Sequence, residues 1–281
     1  MTIDRYYAAQ IENHSRDGVA DSECMAAEPS TDDWRHDRMR SPILPLLGEK
    51  GRWLTFGDGR GTDAAWLIKK GQTVLCTDIQ DVHLKKSNAA GLISDYRAAN
   101  AEALPFGDDA FDWGFCKEAY HHMPRAPVAF YEMLRVVKNG LVLIEPAPRQ
   151  ARNFFGALVL AVLDRVRPIR PEFEFEPSGN YVFKLSIADV QQMLLGIGLR
   201  CFAYRSINDF YIEGVEKERP PGVLKRFCER KILVRDLVDD WLGLHRALMV
   251  FVVFKRDPLA LDGLKQSGFE VVNLPTNPYL P

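Results

Sequence analysis

No CxxC pair occurs in the 281 residues, although there are five cysteines (Cys24, Cys76, Cys116, Cys201 and Cys228). An odd, widely spaced set argues against a zinc ribbon and against a disulfide framework. Strong net charge is also lacking: 36 Lys+Arg stand against 38 Asp+Glu, a formal balance of -2. That balance gives no electrostatic reason to expect nucleic acid as the main partner. The longest apolar run, "FFGALVLAVL" at 154–163, falls well short of the roughly 20 residues needed to span a bilayer. The opening "MTIDRYYAAQIENHSRDG" lacks the basic start and apolar stretch of a signal peptide. A cytoplasmic protein in a reducing compartment is the expectation.

At 47% hydrophobic and 26% charged residues, the chain can bury a real core and is not of disordered composition. From residue 52 onward, short apolar strands alternate with helical patterns. "RWLTF" (52–56), "TVLCTD" (73–78), part of "SDYRAAN" (94–100), "AFDWGFC" (110–116), "GLVLIEP" (140–146), "LRCFAYRSI" (199–207) and "ALMVFVVFK" (247–255) read as strands. This alternation predicts an α/β fold: a doubly wound, seven-stranded, mostly parallel sheet. Residues 1–50 read as an N-terminal cap and 51–256 as the core, with insertions at about 147–185 and 209–245. Residues 257–281 read as a C-terminal tail, with "NPY" (277–279) docking on the domain.

The first strand-to-helix turn, "GDGRG", carries Gly57, Gly59 and Gly61, and the next strand ends on Asp78. Ligands of open parallel sheets bind beyond the carboxyl ends of the strands, where this loop falls. Glycines let a ligand approach the backbone, and a carboxylate ending the second strand can accept both ribose hydroxyls of a nucleoside. A dinucleotide fingerprint would read G-x-G-x-x-G, but here Thr62 takes the third glycine's place. Asp58 and Asp63 would repel a pyrophosphate at the helix N-terminus, whereas a ligand carrying an ammonium and a sulfonium would tolerate them. S-adenosylmethionine (SAM) is such a ligand.

The run from Leu54 to Pro146 resembles the class I SAM-dependent methyltransferases of the ubiquinone/menaquinone-biosynthesis type. The resemblance rests on Gly57, Gly59, Gly61 and Asp78, on "NAEALPFGDDAFD" (100–112), on "CKEAYHHM" (116–123) and on "EMLRVVKNGLVLIEP" (132–146). It covers about a third of the chain and implies a Rossmann-like fold with inserted helices. It also implies SAM as cofactor, held by Gly57, Asp58, Gly59, Gly61, Asp78, Ile79, Asn100, Ala101, Glu102 and Lys117. Two positions depart from the family pattern. Thr55 stands where an acid usually lies near the methionine ammonium, with Asp58 as the candidate substitute. Asn100 stands where Asp is common near the adenine amine, and its side-chain oxygen can accept the same hydrogen bond.

Beyond the fourth strand, "KEAYHHM" places Lys117, Glu118, His121 and His122 near the expected sulfur. An alcohol acceptor must lose its proton as it attacks, and His is the usual base near neutral pH. His121 and His122 are therefore the catalytic candidates, and no metal ligand set is expected. Glu118, Tyr181, Asp209 and Tyr211 are the candidates for acceptor binding. The expected activity is methyl transfer to an oxygen of a small molecule, a sugar or glycan precursor first. An isoprenoid or polyketide-type acceptor, or a SAM-binding partner subunit without catalysis, is the alternative. The apolar 153–166 helix leaves a homodimer and an interfacial membrane contact open.

Overall fold

The computed structural model describes residues 6–8, 11–12, 28–166, 174–176 and 179–279. Most of the expected cap before residue 28 lies outside the described residues. The remainder of the cap contains α1 (Thr31–Arg40), opened by a reciprocal capping box between Ser30 and Asp33. A 3₁₀ stretch (Ser41–Leu47) with Pro42 and Pro45 then turns the chain into the sheet.

The alternation read from the sequence is present. β1 (Arg52–Phe56), α2 (Thr62–Lys69), β2 (Thr73–Asp78), α3 (Val82–Ala89), β3 (Tyr96–Ala98) and β4 (Phe111–Lys117) form the first half. α4 (Ala126–Val136) leads directly into β5 (Val137–Pro146), followed by α5 (Phe154–Val166) and α6 (Ile187–Gly196). β6 (Cys201–Ile207), α7 (Val223–Leu242) and β7 (Leu248–Phe254) come next. The last residues fold as α8 (Leu261–Gln266) and β8 (Glu270–Asn273).

The sheet has eight strands in the order β3-β2-β1-β4-β5-β7-β6-β8. β3, β2, β1, β4 and β5 are mutually parallel. β7 is antiparallel to β5 and β6, and β8 is antiparallel to β6. The expected seven strands are thus joined by an eighth, and the segment read as a tail supplies it. Tyr279 is 92% exposed, so "NPY" does not dock as expected.

All seven residues of β7 are buried. A strand covered on both faces reads as a continuous apolar run, and "LMVFVVF" is one. Alternate residues point to the two cores. Leu54, Phe56, Leu141, Leu143, Phe251 and Val253 enter one. Trp53, Val142, Ile144, Val250 and Val252 enter the other. Each such side chain contributes on the order of 1.5–3 kcal/mol by leaving water. The result is a stiff platform whose β1, β2, β4 and β5 carboxyl ends share one edge, where the sequence places its site residues.

Candidate functional site

The loop after β1 is built from left-handed backbone. Gly57, Gly59 and Gly61 have φ of 63°, 50° and 74°, a region open to glycine and strained for other residues. The three differ in surroundings. A Cβ on Gly57 would lie 2.5 Å from the Ala119 Cβ, in the loop after β4. A Cβ on Gly59 would meet nothing within 4 Å. Gly57 therefore lets two loops close on each other, and Gly59 presents bare backbone to open space.

Asp78 sits against that open floor. Its Oδ2 accepts from the Gly59 N–H at 2.9 Å and its Oδ1 from the Gln80 N–H at 3.2 Å. An ionised carboxylate has about four acceptor positions, so ribose hydroxyls can still be accommodated. Register places Asp78 opposite Ala98, and the Ala99 N–H donates to the Asp78 carbonyl at 2.7 Å. Ile79, Asn100 and Ala101, all partly exposed, are thereby gathered beside it. These residues fit a nucleoside.

Three expected cofactor contacts are engaged otherwise. Asp58 is turned inward, and its carboxylate accepts from the N–H groups of Asp63 (3.0 Å) and Ala64 (2.8 Å). It caps α2, so it does not stand in for the acid missing at Thr55. Burial, and then the nearby Asp63 carboxylate, raise the Asp58 pKa. Asp63 is lowered: burial opposes its ionisation, but Lys117 and Arg40 outweigh it. Lys117 Nζ lies 4.0 Å from Asp63 and 3.1 Å from Glu118, while Arg40 pairs with Asp63 at 2.6 Å. Asp63 is therefore a neutralised anion, which weakens the repulsion of a pyrophosphate expected from it. The Glu102 carboxylate holds both the backbone N–H and the guanidinium of Arg125, tying the loop after β3 to the start of α4.

The histidines separate clearly. His121 is 7% exposed, and its Nδ1 lies 2.6 Å from Glu145 Oε2, at the end of β5. Glu145 is 0% exposed, and its Oε1 accepts from the Ala119 and Tyr120 N–H groups, both at 3.0 Å. An acceptor-only carboxylate at that distance requires the proton on Nδ1, which leaves Nε2 as the basic nitrogen. Burial disfavours the imidazolium, but the Glu145 hydrogen bond and charge outweigh it, and the His121 pKa is raised. The His122 ring packs on that of His121, at 4.0 Å between centroids. Its Nδ1 lies 2.7 Å from Asn180 Nδ2 and 3.1 Å from Glu176 Oε2. His121, His122 and Glu176 offer ligand atoms within 4.8 Å of one another, a donor set not expected from the order of residues along the chain.

The acceptor candidates scatter. Glu118, at φ 50°, leans on Lys117 just before the histidines. Tyr181 follows Asn180 and stacks edge-on against Phe175. Asp209 forms a bidentate ion pair with Arg35 of α1, and the same guanidinium lies 5.1 Å from the Tyr211 ring centroid. Asp209 and Tyr211 thus fasten α1 to the loop after β6, which corrects their reading as acceptor contacts. A groove of about 860 Å³ opens between α1 and α2, lined by Asp32, Asp37 and Thr62 among others, and not by Asp78 or His121. Asn180, in the segment read as flanking the mouth of the site, is brought to His122, whereas Glu145 went unnoticed in the sequence. The one signal for Glu145 was a carboxylate inside the apolar run "LVLIEP".

Residues 54–144 match the family model of the methyltransferase domain. Over that segment the chain matches a methyltransferase domain, for which SAM is the implied cofactor. The match does not single out the ubiquinone/menaquinone branch. The chain is similar to uncharacterized proteins of Mycobacterium bovis and Mycobacterium tuberculosis, each 32% identical over 145 residues, covering 48% of this chain and 51% of the relative. It thus spans about half the length of the curated relatives it matches. A SAM-dependent methyltransferase from Archaeoglobus fulgidus has the same fold, with a TM-score of 0.52 at 14% identity, covering 80% of this chain and 95% of that one.

Proposed function

We propose that the protein transfers a methyl group from SAM to a hydroxyl of a small polar molecule, a sugar or glycan precursor, with His121 as general base. The observation that carries this reading is the buried Glu145–His121 pair at the carboxyl edge, close to the glycine loop and Asp78. SAM, when bound, supplies an electrophilic methyl on a good leaving group. The chain's task is then to hold the acceptor in line and remove its proton. His121 Nε2 takes that proton as the oxygen gains the methyl. Glu145 fixes the tautomer and steadies the imidazolium that results, so it is a positioning residue. Asn180, His122 and Glu176 supply a polar rim suited to hydroxyl groups. On this reading the residues that hold the cofactor are Gly57, Gly59, Gly61, Asp78, Ile79, Asn100 and Ala101.

Labelled SAM incubated with candidate sugars and sugar nucleotides tests the reaction. His121→Ala should lower kcat by about 10²–10⁴ with product-cofactor affinity nearly unchanged, while His122→Ala should lose stability more than rate. The base must be neutral, and its pKa is raised. The acidic limb of the pH–rate profile should therefore lie above the ordinary histidine value. Glu145→Gln should move that limb downward and reduce kcat. If His121→Ala keeps more than about half of kcat, the base assignment is wrong.

A metal-assisted reading rests on the His121–His122–Glu176 donors. The Glu145 hydrogen bond at His121 Nδ1 leaves Nε2 open to a proton or to a metal. Loss of activity on dialysis against a chelator, restored by a divalent ion, would favour the metal-assisted reading.

A further inference from the structure

Two helices of this molecule bury very little. In α5 the buried residue is Gly156, while Phe154 (80% exposed), Leu158, Val162 and Val166 face outward. In α7 only Cys228 and Ile232 are buried. A helix as apolar as α5 is ordinarily packed inside a core.

The outward face of α7 has an ordered composition. At about 3.6 residues per turn, Val223, Val234 and Trp241 fall on one line, opposite Cys228 and Ile232. All three are exposed, Trp241 by 76%. Arg230 falls on that same line, Arg226 and Lys231 flank it, and all three are exposed. Among the described residues, no ion pair joins these three to a carboxylate. The acids of the helix are engaged on its other side: Glu229 pairs with Lys225, Asp236 and Asp239 accept from Asn208 Nδ2 at 2.9 and 2.7 Å, and Asp240 pairs with Arg152 and Arg246.

The two helices meet at one end. The Arg152 N–H donates to the Gly243 carbonyl at 2.8 Å, and a Cβ on Gly156 would lie 2.0 Å from that same oxygen. The start of α5 therefore abuts the end of α7, which places Phe154 and Trp241 beside one junction. In sequence, the last turn of α5 carries Asp164 and Arg165, and Arg167 and Arg170 follow it.

We propose that the outer face of α5 and α7 docks on an anionic lipid surface, lying in the headgroup region without crossing the bilayer. An exposed apolar line that carries and is rimmed by cations, with the acids of the helix paired on its other side, complements negatively charged headgroups above a hydrocarbon layer. Self-association through the same face would bring Arg226, Arg230 and Lys231 of two copies towards one another, which disfavours a dimer. Lipid docking stands independently of the methyl-transfer reading.

Co-sedimentation of the full chain with vesicles tests it, using phosphatidylcholine alone and phosphatidylcholine mixed with phosphatidylglycerol. Binding is expected to the anionic vesicles and not to the neutral ones. It should weaken several-fold in about 1 M salt, where the screening length falls to about 3 Å. Trp241→Glu should cut binding by about tenfold or more, since it removes an apolar anchor and adds a like charge. Arg230→Glu should cut it by about fivefold or more. Both positions are exposed, so circular dichroism and Tm should stay as in the unaltered protein. Absence of binding to anionic vesicles would overturn the proposal. So would equal binding to both vesicle types, or variants that bind as well as the parent. A concentration-dependent dimer in sedimentation velocity, abolished by Trp241→Glu and unaccompanied by vesicle binding, would replace lipid with a second copy of the chain.

Discussion

Asp78 is the residue on which cofactor recognition turns. It braces the glycine loop through the Gly59 N–H and has acceptor positions left for two hydroxyls. Asp78→Ala should weaken binding of S-adenosylhomocysteine by about 1.5–3 kcal/mol, the loss expected for hydrogen bonds to a charged acceptor. Calorimetry showing equal affinity would remove Asp78 from the site. The glycines and Asp78 were legible because their backbone demands are local: three left-handed positions in five residues admit few other residue types. Glu145 was not, because its meaning comes from His121, 24 residues earlier in the chain. Asp58, Glu102 and Asp209 misled for the same reason. Each is an acid near the right edge, and only the partner it meets decides between a ligand contact and a cap or ion pair.

At the scale of elements, strand positions were readable to within a few residues, since β-branched and apolar runs bounded by Gly and Asp declare themselves. β8 escaped notice because "EVVN" is short and edge-lying, with no strong alternation. The contact between α5 and α7 depends on one small residue. Gly156→Val would set a branched side chain against the Gly243 carbonyl, already within 2.0 Å of a Cβ. The start of α5 must then move off α7. Amide hydrogen exchange should quicken across 154–166 and 238–243 while β5 and β7 keep their protection, because the sheet does not depend on that contact. Unchanged exchange in α5 would mean that this contact does not hold the helix.

Over the whole molecule, the region before β1 is fastened to a loop far along the chain. Glu218 accepts from the Thr31 hydroxyl at 2.5 Å and from the N–H groups of Leu224 and Lys225 at 2.8 and 3.0 Å. One carboxylate thus serves the starts of both α1 and α7. Desolvation resists its ionisation, but the Thr31 hydroxyl and the backbone N–H groups prevail and hold its pKa at about 2. A depressed carboxylate stabilises the fold above its unfolded pKa, and that contribution disappears as pH falls towards the folded value. Glu218→Gln should accordingly lower Tm at pH 5, and the gap to the parent should narrow by pH 3. A gap independent of pH would show that shape, and not charge, is what Glu218 contributes. None of this was visible in sequence, where Thr31 and Glu218 are 187 residues apart.

The strand order also constrains how the protein is made. β7 is the seventh strand synthesised, yet it lies between β5 and β6. A nascent chain can pair β3, β2, β1, β4 and β5 once Pro146 has emerged. β6 then finds no neighbour to join until Phe254 follows. At about 5–20 residues per second, an apolar strand stays unpaired for seconds beside the ribosome. Chains stalled or truncated before Leu248 should be the ones that chaperones and proteases retain.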